Sequence, residues 1–230
     1  WVIDATPDFA RQFDLLRSRV ATYQFSGILL THAHIGHYTG LMYLGKEALN
    51  AKQIPVLATP AMGAFLQRNE PWAQLVRLGN VVVQEIPVGD APAPVRLTET
   101  LAVTPIQVPH RNELSDTVAF LIDGESRRML YVPDIDRWEG WTPDLAQTLR
   151  DLGVGVALVD GCFFSADELP RLAQVPHPLV TDTVDRLRSS ACEVVFVHLN
   201  HTNPLWRDGP ERNWLGAQGF QVGHTLSAWR

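Results

Sequence analysis

Three histidines within six positions, His32, His34 and His37, follow directly on an apolar run of the chain. In extended backbone, residues two apart project from the same side, so His32 and His34 can reach one metal ion together. His37, where a helix is expected to begin, can approach the same pocket from another angle. Imidazole is a borderline ligand that suits zinc, iron, nickel or copper. Three more ligand-type residues close apolar, strand-like runs: His110 after Ile106-Gln107-Val108-Pro109, Asp134 after Leu130-Tyr131-Val132-Pro133, and His198 after residues 194–197. Alone, each also reads as a loop residue, a turn or helix cap, or a hydrogen-bonded strand end. Together they place ligands at the carboxyl ends of several strands, which converge on one edge of a sheet.

A metal held there would lower the pKa of a bound water toward neutrality and polarise an ester or acyl oxygen. Asp134 would then hold the metal and accept a hydrogen bond from the water. His201 is a candidate proton donor to the leaving group, because an imidazole titrates near working pH. An exposed loop histidine explains it equally well, and spacing also allows His201 to exchange roles with His198. Arg111 and Asn112 could orient an anionic substrate or form a salt-bridged loop. Ser115, Asp116 and Asp160 suit hydrogen bonds that fix ligand histidines, or plain turns. Of the seven tryptophans, Trp138 and Trp141 read as packing, while Trp206 and Trp214 could line a pocket after the His198 loop.

These residues need strands and helices to position them. Thr6-Pro7-Asp8 reads as a helix start with Thr6 as N-cap, and Phe9, Phe13, Leu16 and Val20 recur at helical spacing. Strands are expected at residues 1–3, 27–30 and 55–58, a helix over 40–51, and one or two helices over 60–78 with a break at Pro71. From Val81 onward short β runs take over, at 81–83, 101–103 and 106–108. Residues 118–122 and 129–132 flank Asp123-Gly124-Glu125-Ser126, a hairpin signal. Helices near 144–152 and 183–190 then alternate with strands at 156–159 and 194–197. This order predicts a layered α/β protein with a mixed sheet.

The 230 residues carry a formal charge of −6, which argues against non-specific binding to nucleic acid or an anionic membrane and favours a small substrate. A chain of this length buries about 70% of its unfolded surface and needs no disulfide scaffold. Its evenly mixed composition, with no linker, is expected to form one domain over residues 1–230. The two cysteines, Cys162 and Cys192, form no paired motif and read as buried thiols of a reduced, cytoplasmic protein. No apolar stretch reaches the roughly 18 residues of a spanning helix, and no signal peptide is recognisable at the start.

The run Thr31-His32-Ala33-His34-Ile35-Gly36-His37 resembles the metallo-β-lactamase signature His-x-His-x-Asp-His, which is followed in that superfamily by later His, Asp and His ligands. Val2-Ile3-Asp4-Ala5-Thr6-Pro7-Asp8, Ile35-Gly36-His37-Tyr38-Thr39-Gly40-Leu41, Val108-Pro109-His110-Arg111, Ser115-Asp116-Thr117, Asp160-Gly161 and His198-Leu199-Asn200-His201-Thr202-Asn203-Pro204 are similar to motifs of the pyrroloquinoline quinone biosynthesis protein B family. The resemblance implies an αββα sandwich, with His32, His34 and His110 as one metal triad, Asp134 as a bridging ligand, and His37 with His198 as the remains of a second site. It gives Asp4 a supporting role behind the metal loop.

The chain departs from the pattern in four places. Gly36 stands where the superfamily has an aspartate that binds the second metal, so about one tightly held metal is expected. His32 and His34 are present where members of the quinone family often lack them, which suggests a paralogue. The family's first strands would come from residues before Trp1, so a leading segment is expected to be missing from this sequence, and the edge it would leave could be covered by a partner chain. The ending Gly223-His224-Thr225-Leu226 differs, leaving His224 as a surface or pocket residue. The resulting expectation is a metal-dependent hydrolase using one or two zinc ions. A mononuclear iron oxygenase of quinone cofactor biosynthesis and a non-catalytic quinone carrier are the alternatives.

Overall fold

The computed structural model describes residues 1–20, 25–169, 175–225 and 227–228. The chain forms two compact units, Trp1–Ala91 with Asn112–Thr117, and Pro92–Arg111 with Val118–Arg230.

The first unit holds an all-parallel sheet in the order β1 (Val2–Ile3), β2 (Ile28–Leu29), β3 (Ile54–Ala58), β4 (Val81–Glu85). Parallel neighbours need crossovers, supplied here by α1 (Phe9–Arg19), α2 (Ile35–Tyr38), a 3-10 segment over Thr39–Leu44, α3 (Pro60–Arg68) and α4 (Trp72–Arg77). Phe9, Ile28, Leu30, Leu41, Leu44, Val56, Met62 and Val81 form one buried cluster.

Three expectations change in this unit. Helix α1 starts at Phe9, with Asp8 at the cap and no side-chain cap bond, rather than at Pro7 under a Thr6 cap. The reason is that Ala5 is already committed: its N–H donates to His37 O at 2.8 Å and its carbonyl accepts from Gly40 N at 2.8 Å. A Cβ on Gly40 would meet Thr6 O at 2.2 Å, so only glycine permits that approach. The helix expected over 40–51 is a short 3-10 segment ended by extended backbone at Gly45; Leu41 and Leu44 are buried while Leu49 is exposed. The run from Val81, grouped by composition with the later β runs, pairs instead with β3 in this parallel sheet. The break at Pro71 is present, with α3 capped by Thr59, whose hydroxyl accepts from Met62 N.

The second unit holds a seven-stranded mixed sheet. Strands β5 (Val95–Arg96), β6 (Ala102–Gln107), β7 (Val118–Asp123) and β8 (Arg128–Val132) form an antiparallel meander. Strands β9 (Val156–Asp160), β10 (Glu193–Val197) and β11 (Gln221–Val222) then continue it in parallel, connected through α5 (Leu145–Asp151), α6 (Val180–Leu187) and α7 (Pro210–Ala217). The two β runs expected at 101–103 and 106–108 are one strand, β6, which carries Pro105 opposite Phe120. Helix α6 starts at Val180, three residues before the position expected, because Val180 N already bonds Phe163 O. The hairpin, α5 and the strands β9 and β10 lie where the sequence places them. Leu130, Val132, Trp138, Leu149, Val159, Val184 and Phe196 fill the core, and Trp138 Nε1 donates to Thr183 Oγ1 at 2.8 Å. Among the described residues no helix is long and apolar enough to cross a membrane.

Candidate metal centre

In the first unit the histidine loop leaves the end of β2 and is held by a buried carboxylate. Asp4, at the end of β1, is 2% exposed and sits at φ +60°, a left-handed conformation that aspartate tolerates better than most residues. Its Oδ1 accepts from Thr31 N at 2.9 Å, and its Oδ2 accepts from Thr31 Oγ1 at 2.9 Å and pairs with His37 Nδ1 at 2.7 Å. The Thr31 hydroxyl has one proton and spends it on Asp4, so at its 2.9 Å contact with His32 Nδ1 the ring is the donor. Both His32 and His37 are thereby set with hydrogen on Nδ1 and a lone pair on Nε2. His32 Nε2 lies 2.9 Å from His34 Nδ1, and the His32 and His37 ring centroids are 4.2 Å apart. His34 Nε2 faces Glu113 at 3.3 Å.

The segment Asn112–Thr117 buttresses this loop from the far side of the sequence: Ser115 Oγ accepts from Ala33 N at 2.9 Å, and Asp116 accepts from the Thr59 hydroxyl. Gly36, in α2, has ordinary backbone, and a Cβ built on it meets nothing within 4 Å. The missing aspartate is therefore a matter of sequence and not of space.

In the second unit three imidazoles surround one carboxylate. Asp134, 3% exposed, follows β8. Its Oδ1 lies 3.6 Å from His110 Nε2 and 4.0 Å from His177 Nδ1, and its Oδ2 lies 3.4 Å from His198 Nε2. His110 donates from Nδ1 to Asp136 Oδ1 at 2.9 Å. His177 donates from Nδ1 to Asp160 Oδ2 at 2.7 Å, and the fully buried Asp160 also accepts from Ile135 N and Cys162 N. His198 ends β10 at φ +58°. Burial works against a charge on His177, but the Asp160 carboxylate and the hydrogen bonds to Asp160 and Cys162 outweigh it and push its pKa up to about 11. Burial pushes the Cys162 thiol up, with His177 pulling the other way.

His177 and Asp136 were not legible as site residues, and Cys162 read only as a packed thiol. His177 ends no strand. It stands between Pro176 and Pro178, which marked the segment as irregular, and a proline-flanked histidine was the only signal available. His201 is exposed, and lines an open groove with Thr202, Trp206, Arg207 and Asp208. Trp206 does line this groove, its Nε1 bonded to Asn200 O, whereas Trp214 stacks edge-on against Phe164. Arg111 and Asn112 are exposed. His224 is exposed and contacts Arg212; Leu226 of the same ending lies outside the described residues.

A sequence profile of the beta-lactamase superfamily domain matches residues 1–199. The chain belongs to the metallo-β-lactamase superfamily. It is similar to coenzyme PQQ synthesis protein B of Rhizobium meliloti (27% identity, covering 97% of this chain and 78% of the relative) and of Methylobacterium radiotolerans (28%, 97% and 80%). Among solved structures it is similar to zinc-bound PqqB from Methylobacterium extorquens, with TM-score 0.77 and 23% identity over 97% of this chain and 81% of that one. A diphosphatase of the PhnP family gives TM-score 0.63 and 19% identity over 97% and 77%. These likenesses show the αββα metallo-β-lactamase fold. With the histidine, aspartate and cysteine clusters, they make the chain a metal-binding protein of that fold.

Proposed function

We propose that the chain is a metal-dependent hydrolase that cleaves an ester or phosphodiester of a small molecule. The wiring of the imidazoles carries this reading. His32, His37 and His110 each have Nδ1 on an oxygen acceptor, so each neutral ring offers Nε2 as a donor atom. That donor set fits a borderline divalent ion. His32, His34 and His37 of the first unit and His110, Asp134 and His198 of the second are the proposed ligands. Zinc, as one or two ions, is the proposed metal, in keeping with the zinc-bound relative. When bound, the metal supplies Lewis acidity, lowering the pKa of water and polarising the substrate oxygen.

The remaining work falls to the chain. Asp134 accepts a hydrogen bond from the attacking water, and His201 protonates the leaving oxygen. Asp4, Thr31 and Asp136 keep protons off the nitrogens that must donate lone pairs. The groove that His201 shares with Trp206, Arg207, Asp208 and Glu211 offers a small substrate an aromatic face with charges of both signs around it.

A second reading, an iron oxygenase of quinone cofactor biosynthesis, is favoured by the relatives named for PQQ synthesis and by Gly36, which removes a carboxylate that hydrolases of the fold use. Metal identification on anaerobically purified protein, followed by assay with a generic phosphodiester and by oxygen uptake, tests both. Phosphodiester cleavage by the zinc form is expected. Oxygen uptake by the iron form without cleavage would replace the hydrolase with the oxygenase, and neither activity would leave a quinone carrier.

A further inference from the structure

We infer that Cys162 and His177 are metal ligands, forming with His198 a thiolate-bearing site within the second unit. The inference rests on the reading of His198 as a ligand and adds two residues to it. One ligand atom from each of Cys162, His177 and His198 lies within 4.8 Å of the others. The His177 and His198 rings stack at 6.0 Å with 27° between planes. With Nδ1 of His177 committed to Asp160, Nε2 is the atom that it presents to an ion.

The backbone around these residues is built to keep them together. Asp160 holds both members at once, through Cys162 N at 2.9 Å and His177 Nδ1 at 2.7 Å. The loop after β9 is laced to the loop after β10: Gly161 N donates to Val197 O at 2.8 Å, Asn200 N to Cys162 O at 3.0 Å, and Asn203 Nδ2 to Gly161 O at 2.8 Å. A Cβ on Gly161 would meet Phe196 Cβ at 2.9 Å and Val197 O at 3.0 Å, so glycine is what allows Cys162 to come this close to His198. A carboxylate behind a histidine is the usual support of a metal-binding imidazole. Asp160 stands in that place behind His177 while it also braces Ile135 N and Cys162 N.

One thiolate and two imidazoles select zinc, cobalt or cadmium over magnesium, calcium or manganese. Loading releases the thiol proton of Cys162 and the Nε2 proton of His177 to solvent, and the sulfur and nitrogen lone pairs bind the ion.

Cobalt(II) provides the test. Cobalt-loaded protein, and its Cys192→Ser variant, are expected to show a near-ultraviolet thiolate-to-cobalt charge-transfer band that is absent from Cys162→Ser, with cobalt affinity reduced at least about tenfold in Cys162→Ser and His177→Gln. In the Cys192→Ser background, which leaves Cys162 intact, zinc is expected to slow alkylation of the single thiol at least about tenfold. Bound cobalt without the band, a band that survives Cys162→Ser, or alkylation unaffected by zinc would each overturn the inference. Phosphodiesterase assays on the same samples separate the readings: a band without cleavage removes the hydrolase and keeps the site, while cleavage without a band does the reverse.

Discussion

Replacing Asp4 by asparagine isolates the proton wiring of the histidine loop from its geometry. Asparagine tolerates φ +60° as well as aspartate does, so the backbone is not disturbed. Thr31 N–H needs an acceptor and keeps the amide oxygen at the Oδ1 position, so the new NH2 takes the place of Oδ2, opposite His37 Nδ1. Two donors cannot face each other. His37 must therefore shift its hydrogen to Nε2, the nitrogen proposed to bind metal. The same exchange behind a catalytic-triad histidine disables the ring through its tautomer while leaving the structure intact. Metal affinity should fall about 10- to 100-fold, or roughly 1.4–2.7 kcal/mol. The apo protein exchanges one charge-assisted hydrogen bond for a neutral one, costing about 1–2 kcal/mol, or roughly 2–8 °C in Tm for a chain of this size. Chelator competition measures the first effect and a thermal melt the second, with nitrogen NMR of the imidazoles reporting the tautomer. Affinity within twofold of the parent, with the His37 hydrogen still on Nδ1, would refute the reasoning.

Gly36→Asp should be accepted without loss of Tm, since its Cβ enters open space and an acidic residue in the first turn of α2 is favourable; metal analysis is expected to show raised occupancy, and an unchanged content would count against the missing carboxylate as the limit. His201→Gln should lower kcat about 10²- to 10⁴-fold for a phosphodiester with a poor leaving group and far less for a nitrophenyl ester; equal losses would remove His201 as the acid. Burial pushes Cys192 up to about 11, so its alkylation rate should keep rising with pH to that value, and a plateau near pH 9 would contradict it. The sign for stability is the same: the unfolded thiol ionises first, so this group's contribution is lost as pH rises from the unfolded pKa toward about 11.

Much of the candidate site was legible because period-two projection and strand ends are local properties of the chain. His32 and His34 stand two apart, the spacing that extended backbone projects to one side, and His110, Asp134 and His198 each close a run of apolar residues that must be a strand. Asp4 came from the family resemblance and not from its own surroundings, and its three bonds became visible only when β1 and β2 paired. His177 could not be found because its partners, Asp160 and Cys162, are more than a dozen residues away and its segment has no period. The helix over 40–51 failed for a related reason: leucines at three-residue spacing suit a 3-10 turn as well as an α-helix, and the backbone of Ala5 and Thr6, far off in sequence, decides between them.

The segment Asn112–Thr117 has a consequence for how the protein is made. It is coded after β6 of the second unit, yet Ser115 and Asp116 supply acceptors to Ala33 and Thr59 of the first. A nascent chain that has emerged only to Ala91 has every strand of the parallel sheet and every proposed ligand of the histidine loop, but it lacks the acceptor for the Ala33 amide. At roughly 5–20 residues per second, Thr117 follows within seconds. Over that interval the loop would be assembled without its buttress, and a gene fragment cut at the apparent unit boundary would stay permanently in that condition.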